Sequence, residues 1–134
     1  MTTAMISFDQ LMSNKYFTWV RIGQFVVAIS IYCTLLLLPN VKIPVGPTDF
    51  GLHATGNALL MMSIWVASGG RYKALGPLLF VMPFSVLTEV AQGFTDNRTP
   101  QLIDVAANFT GAAIGFLLCQ IMALILMKIF PNKV

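Results

Sequence analysis

Six polar side chains are of types that do chemistry: His53, Glu89, Gln92, Arg98, Asp104 and Asn108. A histidine oriented by a carboxylate can give or take a proton near neutral pH, which makes His53, Glu89 and Asp104 the candidate acid–base groups. Arg98 offers a planar fork of donors suited to a phosphate or carboxylate. The six carry balanced charge, which suits recognition of an anionic or zwitterionic headgroup. Their spacing is helical. His53 and Asn57 are four apart, Glu89 and Gln92 three apart, and Asp104, Asn108, Gly111 and Gly115 follow at four, three and four, so each set shares one helix face. Structural roles compete with the chemical ones: Asp49 as a helix cap, Glu89 with Arg98 as an ion pair, His53 as a satisfied core residue.

No familiar catalytic signature accompanies these residues. The chain has no Gly-x-Ser-x-Gly elbow, no Gly-rich phosphate loop and no His-Glu-x-x-His helix. A zinc site is normally richer in His or Cys than one histidine with carboxylates, so neither a metal nor another cofactor is expected. Cys33 and Cys119 lie deep in apolar runs and read as small hydrophobes, not as disulfide partners or ligands.

The elements that position these groups are set by composition. Of 134 residues 57% are apolar and only 10% charged, against roughly 25% charged in soluble domains, so the chain reads as an all-α membrane protein. Four runs, 17–38, 50–67, 74–92 and 103–127, are of the length that crosses about 30 Å of hydrocarbon. The first ends Leu-Leu-Leu-Leu-Pro-Asn and is too long for a signal-peptide core. Pro44 to Asp49 precede the second run and Gly69-Gly70 end it. The fourth is expected to start with Thr99 as N-cap and Pro100 in the first helical position.

Ahead of the four-helix domain (17–134), residues 1–16 are predicted to hold a short interfacial helix, because Ser7 and Gln10 have capping-box spacing and Ile6 and Leu11 that of a hydrophobic staple.

Lys15, Arg21, Arg71, Lys73, Lys128 and Lys133 fall on the side of both termini, against Lys42 and Arg98 on the other. The positive-inside rule then places both termini in the cytoplasm and the loops 39–48 and 95–99 outside, with the six polar residues at the outer ends of the spans. Ionisable groups there are expensive and so informative. The net charge of +3 is dispersed, and nucleic acid is not expected as a partner. Gly111-x-x-x-Gly115 either lets a neighbouring helix of the same chain approach closely or forms a homodimer seam.

Asp49-Phe50-Gly51-Leu52-His53, Glu89-Val90-Ala91-Gln92, Arg98, and Asp104 through Asn108 to Gly111 and Gly115 resemble the pattern of the VanZ-like family over residues 49–115. That family consists of small bacterial multi-pass proteins named for one that raises teicoplanin resistance. The family pattern has a lysine after the first aspartate, where this chain has Phe50. The resemblance implies a bacterial plasma (inner) membrane protein of the cell envelope. Its partner would be a membrane lipid or envelope-precursor headgroup, and a link to glycopeptide resistance is implied too. Two other readings stand beside it: a small homodimeric proton-coupled multidrug transporter, and a non-enzymatic accessory subunit of an envelope complex.

Overall fold

The computed structural model describes residues 7–37, 47–70, 74–94 and 101–130. Five helices follow in order: α1 (Phe8–Ser13), α2 (Lys15–Leu37), α3 (Pro47–Ala67), α4 (Leu75–Gln92) and α5 (Leu102–Ile129). There is no strand among the described residues. The last four are long and apolar enough to cross a membrane. Orphan groups at helix ends are met partly by neighbours in sequence and partly by other helices. Ser7 and Gln10 form the expected reciprocal box on α1, with the Ser7 amide donating to Gln10 Oε1 at 3.0 Å and the Gln10 amide to Ser7 Oγ at 3.2 Å. Ile6, the other half of the expected staple, lies outside the described residues. Asn14 breaks the chain direction and its Oδ1 accepts the amides of Tyr16 and Phe17, starting α2.

Gly69 closes α3, with φ at +102°, a conformation that costs glycine little. The Gly70 amide then donates to Trp65 O and the Gly69 amide to Val66 O, both at 3.0 Å, the double bond of a Schellman ending. Arg21 of α2 completes this end. Its Nη1 lies 3.4 Å from Val66 O and from Ala67 O, and its Nη2 donates to Met12 O and Thr18 Oγ1 at 3.1 Å. A buried cation at a helix C-terminus meets both the unpaired carbonyls and the negative end of the dipole.

Packing is inverted relative to a soluble bundle. Trp19, Leu35, Leu59, Leu79, Leu87, Leu117 and Leu124 are exposed on the outside. The interior holds Arg21, Asp49, His53, Asn57, Ser63, Ser85, Glu89, Gln92, Asp104 and Asn108 beside its apolar core. Hydrocarbon as solvent accounts for both.

The most extensive contact joins α3 and α5. It is made by one stripe of α5, in which Asp104, Ala107, Asn108, Gly111, Ala112, Gly115, Cys119 and Ala123 are buried. A Cβ on Gly111 would run into the backbone of Ala54, and one on Gly115 would stand 2.7 Å from Ala58 O and 2.8 Å from Met61 Cβ. The glycine pair therefore packs against α3 within the chain. Because residue 54 meets 111 and 58 meets 115, the two helices run parallel and begin at the same end of the bundle.

Helix α5 begins at Leu102 after an extended Gln101 (φ −121°, ψ 133°); Thr99 and Pro100, expected as its cap and first helical residue, lie outside the described residues. A partner from another helix meets this start. Glu89 Oε1 accepts the Gln101 amide at 2.9 Å, and α5 starts from the position that bond holds.

Candidate functional site

Asp49, His53 and Asn57 stand one above another on α3, and Asp104 and Asn108 do the same on α5. The parallel close approach below them brings the two rows together. Asn108 Oδ1 lies 3.1 Å from His53 Nδ1 and 2.6 Å from Asn57 Nδ2. Asn57 Nδ2 also reaches its own helix at His53 O (3.0 Å) and α2 at the Tyr32 hydroxyl (2.8 Å). An amide oxygen can only accept, so Nδ1 of His53 carries the proton and the lone pair of the neutral ring sits on Nε2. That nitrogen faces two carboxylates, Asp49 Oδ1 at 3.6 Å and Asp104 Oδ2 at 4.0 Å. The three ligand-type atoms all lie within 4.8 Å of one another, and all three residues are buried.

Asp49 was expected to cap its helix. Instead α3 starts at Pro47, which puts Asp49 inside the first turn with its carboxylate in the cluster. Asp104 occupies the matching first turn of α5. Unpaired amides and the positive end of the dipole favour a carboxylate at both places. The signal that could have found Asp49 is the echo between Asp49-x-x-x-His53 and Asp104-x-x-x-Asn108. With Asp49 included, the described part of the cluster is richer in carboxylate than the balanced charge inferred from sequence.

The remaining candidates divide. Glu89, 4% exposed, is at the same end of the bundle, where its Oε1 holds the Gln101 amide; the Asp104 amide in turn donates to Gln101 O at 3.1 Å. The Gln92 amide nitrogen donates to Leu36 O of α2 at 3.1 Å, which ties α4 to α2. Arg98, and with it the expected Glu89–Arg98 ion pair, lies outside the described residues, as do the loops 39–46 and 95–100. Tyr32 was not anticipated; its signal is a hydroxyl in the middle of an apolar run.

The arrangement can orient one imidazole and present its lone pair, together with two carboxylates, to a positively charged species. The expectation of no metal rested on the leanness of the ligand set, and the helix pairing concentrates that set at one point.

The family model described as VanZ/LLP1 matches residues 6–125, nearly the whole chain. No curated protein and no solved structure matches it. The chain belongs to the VanZ/LLP1 family, and it is a membrane protein of VanZ-like type.

Proposed function

We propose that this VanZ/LLP1 family member binds, or acts on, the anionic headgroup of a membrane lipid or lipid-linked envelope precursor. The site would lie at the outer face of a bacterial plasma membrane, with both termini cytoplasmic. The observation that carries this reading is the buried hydrogen-bonded group Asn57–Asn108–His53 beneath Asp49 and Asp104. Polarity buried at one end of a hydrocarbon-facing bundle is costly, and a group with a pre-oriented imidazole is suited to more than packing. Two parallel helices begin at that end, and Arg98 follows in the adjoining loop of the sequence; both favour an anion.

A proton-coupled exporter is less well supported. Asp49 and Asp104 sit in first turns of their helices, whereas coupling carboxylates of such transporters belong near the bilayer midplane.

Native mass spectrometry of the detergent-purified chain tests the reading. The expected result is retention of phosphatidylglycerol or a polyprenyl phosphate in preference to phosphatidylcholine, reduced at least tenfold by Asp104→Asn. Equal retention of all three lipids, with electrogenic uptake of a cationic drug into proteoliposomes, would replace it with the transporter. A stoichiometric copurifying protein and no lipid preference would replace it with the accessory subunit. Any part in glycopeptide resistance is read from the teicoplanin susceptibility of a host with and without the gene.

A further inference from the structure

His53 Nε2 faces the carboxylates of Asp49 and Asp104 in the buried end of the bundle. Here the separations are 3.6 and 4.0 Å, beyond hydrogen-bond length on both sides. Ligand atoms each roughly 2.0–2.2 Å from one ion stand about 3 to 4 Å apart, so the His53 separations match a shared ion, and the whole set, within 4.8 Å, reaches one by a small inward movement of the carboxylates. The His53 side chain is only 3% exposed, so its lone pair is held toward the carboxylates inside the protein.

The surroundings of the histidine support the same occupant. Metal-ligating imidazoles donate their second N–H to an oxygen acceptor, which fixes tautomer and ring plane. Asn108 Oδ1 occupies that place on Nδ1 at 3.1 Å, and Asn57 Nδ2 holds Asn108 at 2.6 Å. One nitrogen and two carboxylate oxygens suit a borderline first-row divalent ion and leave coordination positions open.

We propose that Asp49, His53 and Asp104 bind one divalent transition-metal ion of the Zn²⁺ or Mn²⁺ kind. The ion presents an open position to a phosphate or carboxylate oxygen. The metal site stands on the geometry alone, while the bridging role rests on the function proposed above.

The full-length protein in detergent, stripped with EDTA and free of anionic lipid, is titrated with ZnCl₂ and with MnCl₂ by calorimetry, and retained metal is counted by mass spectrometry. One equivalent per chain is expected for at least one of the two ions. Asp104→Asn and His53→Ala should abolish it, Asn108→Ala should weaken it roughly 10- to 100-fold, and Asp9→Asn, in α1, should leave it unchanged. Folded, monodisperse wild-type protein that takes up neither ion overturns the site whatever the variants do, as does uptake that survives Asp104→Asn.

Lipid retention is then compared before and after stripping. A loss of at least tenfold, restored by the metal, is expected. Retention that is indifferent to EDTA overturns the bridging role and leaves the proposed function standing. Stoichiometric metal with no anionic-lipid preference in either state removes the proposed function and leaves the metal site.

Discussion

His53 and Asn108, 55 positions apart, are joined by a 3.1 Å bond in which Nδ1 donates to Oδ1, and this bond sets which ring nitrogen faces Asp49 and Asp104. Asn108→Asp keeps an acceptor and should keep the geometry. Asn108→Leu strands the His53 N–H, at about 1–3 kcal/mol for an unsatisfied buried group, while Asn57 Nδ2 keeps the Tyr32 hydroxyl and His53 O. Thermal unfolding of the two variants in detergent should show the leucine variant clearly less stable; equal melting would show that Asn108 orients nothing.

Gly111→Leu should remove folded, monodisperse protein altogether, because even the first carbon of a side chain meets the Ala54 backbone and the helices must part. Gly115→Ala meets Ala58 O at 2.7 Å and a side-chain carbon of Met61 at 2.8 Å, and should be damaged less. Size-exclusion profiles of both variants decide this. A wild-type profile for Gly111→Leu would contradict the tight α3–α5 contact.

Much of this arrangement was legible beforehand and some was not, for a consistent physical reason. Apolar length marks spans, and spacing marks faces, so the four long helices, the α5 stripe and the row Asp104–Asn108 could be read directly. Spacing says nothing about which face meets which. Asp49 therefore passed for a cap, the choice of α3 as partner of the α5 glycine face was invisible although the charge count already ran the two helices the same way, and Gln92 could not be assigned to Leu36 O. Thr99 looked like the start of α5 because capping rules are local, whereas the amide of Gln101 is held by Glu89, 12 positions earlier.

That non-local cap separates two substitutions of one residue. Glu89→Gln retains an oxygen for the Gln101 amide and should leave the fold largely intact. Glu89→Ala removes it and should cost about 0.5–2 kcal/mol, the range for a lost helix cap. Both should lose lipid retention if the carboxylate charge also serves the site. Retention that follows stability alone would assign Glu89 to structure.

Arg98→Ala should abolish anionic-lipid retention while leaving helical content and melting unchanged, as expected of a donor that acts on the headgroup. A parallel fall in melting temperature would instead mark Arg98 as an ion-pair partner. Glu89→Gln, which keeps the oxygen on the Gln101 amide, combined with Arg98→Ala should then recover stability.

Topology can be read from a cysteine placed at Asn97 in a background with Cys33 and Cys119 replaced. Labelling by an impermeant maleimide in intact cells is the expected result. Labelling only after the cytoplasmic side is opened would move the site to the cytosol and reverse the six-to-two charge argument.

The pairing of α3 with α5 across an intervening helix bears on how the protein is made. Among the four candidate spans α3 is the least apolar and α5 the most, and α3 presents Asp49, His53 and Asn57 before the ribosome has delivered Asp104 and Asn108. Until α5 emerges, α3 is a poorly greasy segment without the Asn108 oxygen that His53 and Asn57 share, a substrate for quality-control proteases or for retention beside the insertion machinery. The expected consequence is that its residence in the bilayer depends on α5. Nascent chains truncated ahead of Gln101 should be degraded faster than those that include α5.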